Sequence, residues 1–224
     1  MAHGRRSAWW QFPLTLLAVV ALVFIAVSIV KPFAIPSGSM EPTLQVGDRV
    51  LVNRLVYRLR PIERGDVVVF DGRDSFTADN RGAVGPVTRV RDWIGDTVGF
   101  GLSTSNDFVK RVIGVGGDRV SCCDADGRVT VNGRAIDESS VLMAGDAPSE
   151  VSFDVHIPEG MLWLMGDHRS ASADSRAHLG DPGGGMVSEN AVVGRVMSVV
   201  WPLDHLMTVP IPDVYASTMG RADG

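Results

Sequence analysis

The run Phe108-Val109-Lys110-Arg111-Val112-Ile113-Gly114 decides how this chain reads. It is an apolar strand interrupted by one basic pair. Successive side chains on a strand point to opposite faces, so Lys110 and Arg111 meet different surroundings. A lysine turned to the core side is desolvated, and desolvation favours the neutral amine. Arg111 keeps its charge, either in solvent or in a pair. The plainer alternative for Lys110 is a side chain whose head snorkels to the sheet edge.

Outward from this run the chain continues as β. Asp48–Asn53 alternates like a strand, and Gly65–Phe70 is a turn feeding a buried strand. Arg119–Ser121 and Arg128–Gly133 flank Asp126-Gly127, a strong hairpin signal. Glu159–Asp167 reads as turn, strand and turn, and Val192–Trp201 closes the set. Gly 25 and Pro 12, with many valine-rich runs, suit a turn-rich β protein. The segments Asp71–Asn106 and Leu179–Gly185 read as loops or insertions, and the residues from about Pro212 onward as a frayed end.

The N-terminal part differs. Residues 1–11 form a short leader with Arg5, Arg6, Trp9 and Trp10. From Phe12 to Val30 no charge occurs, and as a helix this run is about 28 Å long, close to the hydrocarbon thickness of a bilayer. No small-x-small cleavage site follows, so residues 12–30 read as an uncleaved transmembrane signal anchor. Lys31 stands where a snorkelling anchor belongs. Arg5 and Arg6 favour a cytoplasmic N-terminus, with Lys31 and Arg49 narrowing that preference.

A net charge of -5 over 224 residues, with no basic run, argues against nucleic acid as a partner. The chain has lysine only at Lys31 and Lys110, so Lys110 is the single lysine beyond the apolar run. A site that needs a neutral amine must use it, because arginine does not give up its proton. Cys122 and Cys123 are adjacent and form neither a disulfide framework nor a zinc site; a vicinal disulfide and two buried thiols stay equally open. The five histidines show no metal-ligand spacing.

Two further segments carry chemistry. Pro36-Ser37-Gly38-Ser39-Met40-Glu41-Pro42-Thr43-Leu44 puts a serine among small residues just outside the bilayer, either a nucleophile or ordinary loop. Gly166-Asp167-His168-Arg169-Ser170-Ala171-Ser172-Ala173-Asp174-Ser175-Arg176 is polar and follows an apolar strand. In it Asp174 can pair with Arg176, Ser172 can bond a neighbouring amine, and His168 beside Asp167 offers a competing base for Ser39.

These segments, with Arg64–Phe70 and Val109–Asp118, occur in an order that resembles the bacterial type I signal peptidases, the membrane-anchored Ser/Lys leader peptidases. The resemblance runs from the N-terminal span to about Trp201. It implies Ser39 as nucleophile and Lys110 as general base. It implies an oxyanion hole from the Ser37 hydroxyl and the Ser39 backbone N–H, Ser172 orienting the lysine amine, and Asp174 with Arg176 as a supporting pair. Ile35, Met40, Leu44, Phe108 and Val109 fall where the family lines shallow pockets for small side chains, hence Ala-x-Ala specificity. The chain departs from the pattern at Gly116, where proline is common, at His168 for a usual asparagine, and at Ser170-Ala171 for a usual Asp-Asn.

The expected fold is mostly β: a coiled antiparallel β-sheet catalytic domain with a smaller β sub-domain at about 119–160, preceded by one N-terminal transmembrane helix. The peptidase domain would occupy residues 31–224 outside the cytoplasm, on a single-pass anchor in the cytoplasmic membrane. No cofactor or metal is expected. The expected partners are signal-peptide-bearing preproteins and membrane lipids, with the secretion translocon as a candidate. Two other readings compete: a Ser39/His168 hydrolase, and a non-enzymatic anchored β domain that binds envelope partners.

Overall fold

The computed structural model describes residues 13–19, 29–73, 75–76 and 106–216. Valine-rich runs become strands because β-branched side chains pack well on a pleated surface. Seven strands form one antiparallel path, and an eighth pairs onto it. They are β1 (Val30–Ala34), β2 (Arg49–Asn53), β3 (Val67–Asp71), β4 (Asp107–Gly114), β9 (Met161–Met165), β10 (Val187–Ser188) and β11 (Val192–Trp201), with β12 (Met207–Thr208) on β11. The spatial order is β1-β2-β11-β3-β4-β9-β10. A second antiparallel sheet, of order β7-β6-β5-β8, is built from β5 (Arg119–Cys122), β6 (Val129–Val131), β7 (Arg134–Ala135) and β8 (Phe153–His156). It is inserted between β4 and β9, which are neighbours in the larger sheet.

The cores follow from this layout. On β3, Val67 and Val69 belong to one cluster with Ile35, Met40 and Leu44, while Val68 and Phe70 belong to another with Val112 and Leu164. Alternate residues of β3 are therefore buried on both faces, and the runs on either side of it are held from above and below. A third cluster joins the small sheet to β4 and β9 through Ile113, Val120, Phe153, Trp163 and Met165.

Two expectations change, one open alternative is decided, and others lie outside the described residues. Val30, read as the last residue of the span, begins β1, and Lys31 lies on that strand opposite Val52. Residues 13–19 are helical, and the rest of the expected span, residues 12 and 20–28, lies outside the described residues. Among the described residues no helix is long and apolar enough to cross a membrane. The C-terminal end is not frayed at 213–216: Asp213–Ala216 is a helical turn, and the Tyr215 side chain is fully buried. Cys122 and Cys123 are joined as a vicinal disulfide, which decides between the two states left open by their adjacency. Most of the 71–106 insertion, residues 77–105 together with Asp74, lies outside the described residues.

Candidate active site

Ser39 sits in a single 3-10 turn, Gly38–Met40, entered from an extended Ser37. The turn is closed by Glu41 N–H donating to Gly38 O at 3.0 Å, and Leu44 N–H donating to Met40 O at 2.9 Å continues it. Ile35, Met40 and Leu44 sink into the core on either side, so the serine is carried by a short segment with little freedom to move. Lys110 stands near the middle of β4, on the part of the strand that pairs with β3. Its Nζ lies 2.6 Å from Ser39 Oγ, although 71 positions separate the two in sequence.

Lys110 is 3 % exposed and Ser39 9 %. Burial pushes the Lys110 amine down from 10.5 to about 8. Asp174 and Asp167 oppose that fall by favouring the ammonium form, and Arg176 adds to it. Burial outweighs its opponents because the nearby carboxylates are already engaged by guanidinium groups. Arg111 is also buried, not solvated: its Nε and Nη2 donate to Asp167 at 2.8 and 2.6 Å, and its Nη1 donates to Gly65 O at 2.9 Å. The Thr43 hydroxyl donates to the same carboxylate at 2.5 Å, tying the end of the serine segment to it.

The segment after β9 meets the serine turn through Gly166. A Cβ at this position would lie 2.4 Å from Ser39 O and 2.3 Å from Ser172 Oγ, so only glycine lets the two strands of chain approach. Ser172 Oγ is buried and meets no partner in hydrogen-bond geometry; it does not bond Lys110. The hydroxyl nonetheless helps to lower the neighbouring Asp174. Asp174 and Arg176 pair through two donors, Nε at 2.8 Å and Nη2 at 2.7 Å. Burial works to raise Asp174, and the Arg176 fork overcomes it, so the carboxyl stays below its usual range. His168 is turned elsewhere. Its backbone N–H donates to Ser39 O at 3.2 Å, and its Nδ1 lies 3.2 Å from Gly38 O.

A cleft of about 190 Å³ opens at the contact between Ser39 and Lys110. Ile35, Ser37, Met40, Phe108 and Val109 line it together with Ser39 and Lys110. Leu44 does not line it: it is fully buried behind the turn and acts from within the core. Sequence reasoning missed Phe33 and Asp107, which also line the cleft. It gave no role to Thr43 or Arg169 and did not consider Glu138. The first two lie within quoted motifs; Glu138 carries no sequence signal at all. A larger cavity of about 1250 Å³, lined by Arg54, Met161 and Asn190 among others, includes neither Ser39 nor Lys110. No cluster of metal-ligating side chains occurs among the described residues.

Residues 8–201 match the family model described as signal peptidase, peptidase S26. That match ends at Trp201, before β12 and the C-terminal turn. A probable signal peptidase I of Mycobacterium leprae is 37 % identical over 231 residues, covering 88 % of this chain and 78 % of its own. A signal peptidase I of Mycobacterium tuberculosis is 38 % identical over 222 residues, covering 89 % and 74 %. A signal peptidase IB of Staphylococcus aureus is 30 % identical over 203 residues, covering 84 % and 86 %.

Proposed function

This chain belongs to the signal peptidase family, peptidase S26, and on that premise we propose that it is a membrane-anchored serine endopeptidase. It removes N-terminal signal peptides from exported preproteins after small residues of the Ala-x-Ala type, with Ser39 as nucleophile and Lys110 as general base. The observation that carries the reading is a buried amine, held at about 8, lying 2.6 Å from a serine hydroxyl.

The steps follow from that contact. Neutral Lys110 accepts the Ser39 proton as Oγ attacks the scissile carbonyl carbon. The negative charge on the carbonyl oxygen is met by the Ser39 backbone N–H and the Ser37 hydroxyl, which is exposed in the cleft and caps no helix. One preorganised donor of this kind contributes about 3–4 kcal/mol. Lys110 then returns the proton to the departing amine, and a water activated by the same lysine releases the acyl-enzyme. Ser172, buried beside Gly166 with its hydroxyl acting on Asp174, orients the amine when substrate is bound. Asp174 and Arg176 hold this segment in place. The shallow cleft between Ile35, Met40, Phe108 and Val109 suits a methyl side chain better than a large one.

The apolar run that begins at Phe12 and ends before β1 anchors the enzyme in the cytoplasmic membrane with the N-terminus in the cytoplasm, which holds Ser39 near the bilayer surface. The substrate is held in the same bilayer by its own signal sequence, and sharing a surface raises the effective concentration of one for the other. Membrane lipids are thus a partner, and the secretion translocon is a candidate for delivering the substrate.

The test is processing of a secreted precursor by variants of the full chain. Ser39→Ala and Lys110→Ala abolish cleavage. Lys110→Arg abolishes it too, since a guanidinium stays protonated. His168→Ala retains most of the activity, because the ring is engaged with Gly38 O and not with Ser39 Oγ. Wild-type turnover by Lys110→Arg, or loss in His168→Ala while Lys110→Ala stays active, overturns the dyad.

A further inference from the structure

Gly166, the contact point between the serine turn and Ser172, is held from both sides. Its N–H donates to Asp174 Oδ2 at 3.0 Å, and its carbonyl accepts from Arg169 Nε at 2.9 Å. Arg176 closes the figure by donating to Asp174 and to Arg169 O, the latter at 2.9 Å. The result is a ring of hydrogen bonds, Asp174 to Gly166 to Arg169 to Arg176 and back, with one corner against the dyad.

Outside that ring, the rest of the Arg169 guanidinium is held by Pro148 O, which accepts from Nη1 at 2.6 Å, and by a carboxylate with no part in the chemistry. Glu138, just after β7, accepts from Nη1 at 2.9 Å and from Nη2 at 2.6 Å. The Tyr215 hydroxyl donates to Glu138 Oε1 at 2.6 Å. Arg169, Glu138 and Tyr215 are all buried. A two-point guanidinium–carboxylate pair fixes orientation as well as charge, and a buried guanidinium deprived of its partner is strongly disfavoured. Glu138, with Pro148 O beside it, therefore sets where Arg169 points, and the close contacts at Gly166 leave little room to absorb a shift. The Tyr215 ring also backs a second arm. It lies against Gly65, at φ +86, where a Cβ would be 2.8 Å from Tyr215 Cδ2. The Gly65 carbonyl accepts from Arg111, which grips Asp167, the neighbour of Gly166.

We infer that Glu138, oriented by Tyr215, is a positioning residue for the Ser39–Lys110 site, acting through Arg169 and Gly166. The inference rests on the dyad reading above. It gives the inserted sheet and the C-terminal turn a part in catalysis, since one supplies the carboxylate and the other its hydrogen-bond donor.

A split between kcat and KM separates positioning from mere stability. Three carboxylates, Asp167, Glu138 and Asp174, face three guanidiniums, Arg111, Arg169 and Arg176, in this buried region. The charged groups acting on Lys110 are Asp174, Asp167 and Arg176, and Glu138 is not among them. Arg111 and Arg169 are the charged groups around Glu138, and the Tyr215 hydroxyl donates to it. Glu138→Gln and Tyr215→Phe therefore reach the Ser39–Lys110 contact only by loosening Arg169 and Gly166, and the loss falls on kcat and not on KM.

The experiment uses the full chain in detergent micelles with a precursor peptide, and normalises turnover to folded enzyme by thermal unfolding. Glu138→Gln is expected to lose about tenfold or more in kcat with little change in KM, the scale of a small misplacement at a reacting centre. Tyr215→Phe loses severalfold in kcat, again with little change in KM. Wild-type kcat per folded molecule in both variants overturns the inference, and so does a loss that lies wholly in the folded fraction. If Glu138→Gln does not fold, Tyr215→Phe decides alone. A wild-type enzyme with no Ser39-dependent cleavage fails the dyad reading and takes this one with it. Ser39-dependent cleavage with unaffected variants fails this one only.

Discussion

At the scale of one residue, the burial that lowers the Lys110 amine also costs stability. Its pKa falls from 10.5 to about 8 on folding, which corresponds to about 3 kcal/mol. Below pH 8 the amine is protonated in both states, and the penalty of burying an ammonium is present in full. Between about 8 and 10.5 the unfolded chain keeps its proton while the folded chain does not, so stability rises with pH. Above 10.5 the penalty is gone. Lys110→Met, which removes the charge and keeps the volume, is therefore expected to be more stable than wild type at pH 7. The gain is about 2 kcal/mol once about 1 kcal/mol is allowed for the lost contact to Ser39. Urea unfolding of both proteins in detergent at pH 7 and near 10.5 checks it; a gap that fails to close with rising pH contradicts it. This much of the site was legible in the sequence, because one lysine among Phe108, Val109, Val112 and Ile113 has few ways to avoid burial. Its balancing charges were not legible. Asp167 and Glu138 owe their importance to guanidiniums 56 and 31 positions away, and nothing in local composition records such pairings.

At the scale of elements, the site is the meeting of three pieces: the turn at 38–40, the middle of β4, and the chain after β9. Their approach is limited by Gly166. Gly166→Ala puts a methyl group 2.4 Å from Ser39 O and 2.3 Å from Ser172 Oγ, so the turn and the segment must separate. Turnover is expected to fall by about a hundredfold, as for a misplacement near 1 Å, while both sheets persist. Kinetics and far-ultraviolet circular dichroism on the same preparation read the two effects, and undiminished turnover would show that the contact has slack. Strands such as β3, β9 and β11 could be read from their valine, leucine and methionine runs. β1 could not, because Val30–Ala34 continues the preceding apolar stretch and contains Pro32. β7, β10 and β12 have two residues each, too few to carry a period. The four residues of Asp213–Ala216 likewise show no pattern, and they are fixed by one buried tyrosine instead.

At the scale of the whole molecule, the inserted sheet and the larger sheet share a core. Trp163 on β9 packs against Phe153 on β8 with ring centroids 5.2 Å apart, in the cluster that also holds Ile113 and Tyr215. Arg64 and Asp118 bridge the same junction. One cooperative transition is therefore expected, with tryptophan fluorescence and circular dichroism changing at the same urea concentration; two separated midpoints would show that the sheets unfold independently. The order of strands has another consequence. β11 lies between β2 and β3, so it separates the arm that follows the serine turn from the arm that leads to Lys110. Residues 192–201 also come later in the chain than both arms. Until they arrive, the nascent chain holds its serine and its lysine on two unjoined ribbons. The contact between Ser39 and Lys110 thus depends on a strand made after both of them, and a chain cut short before residue 192 is expected to leave the two apart.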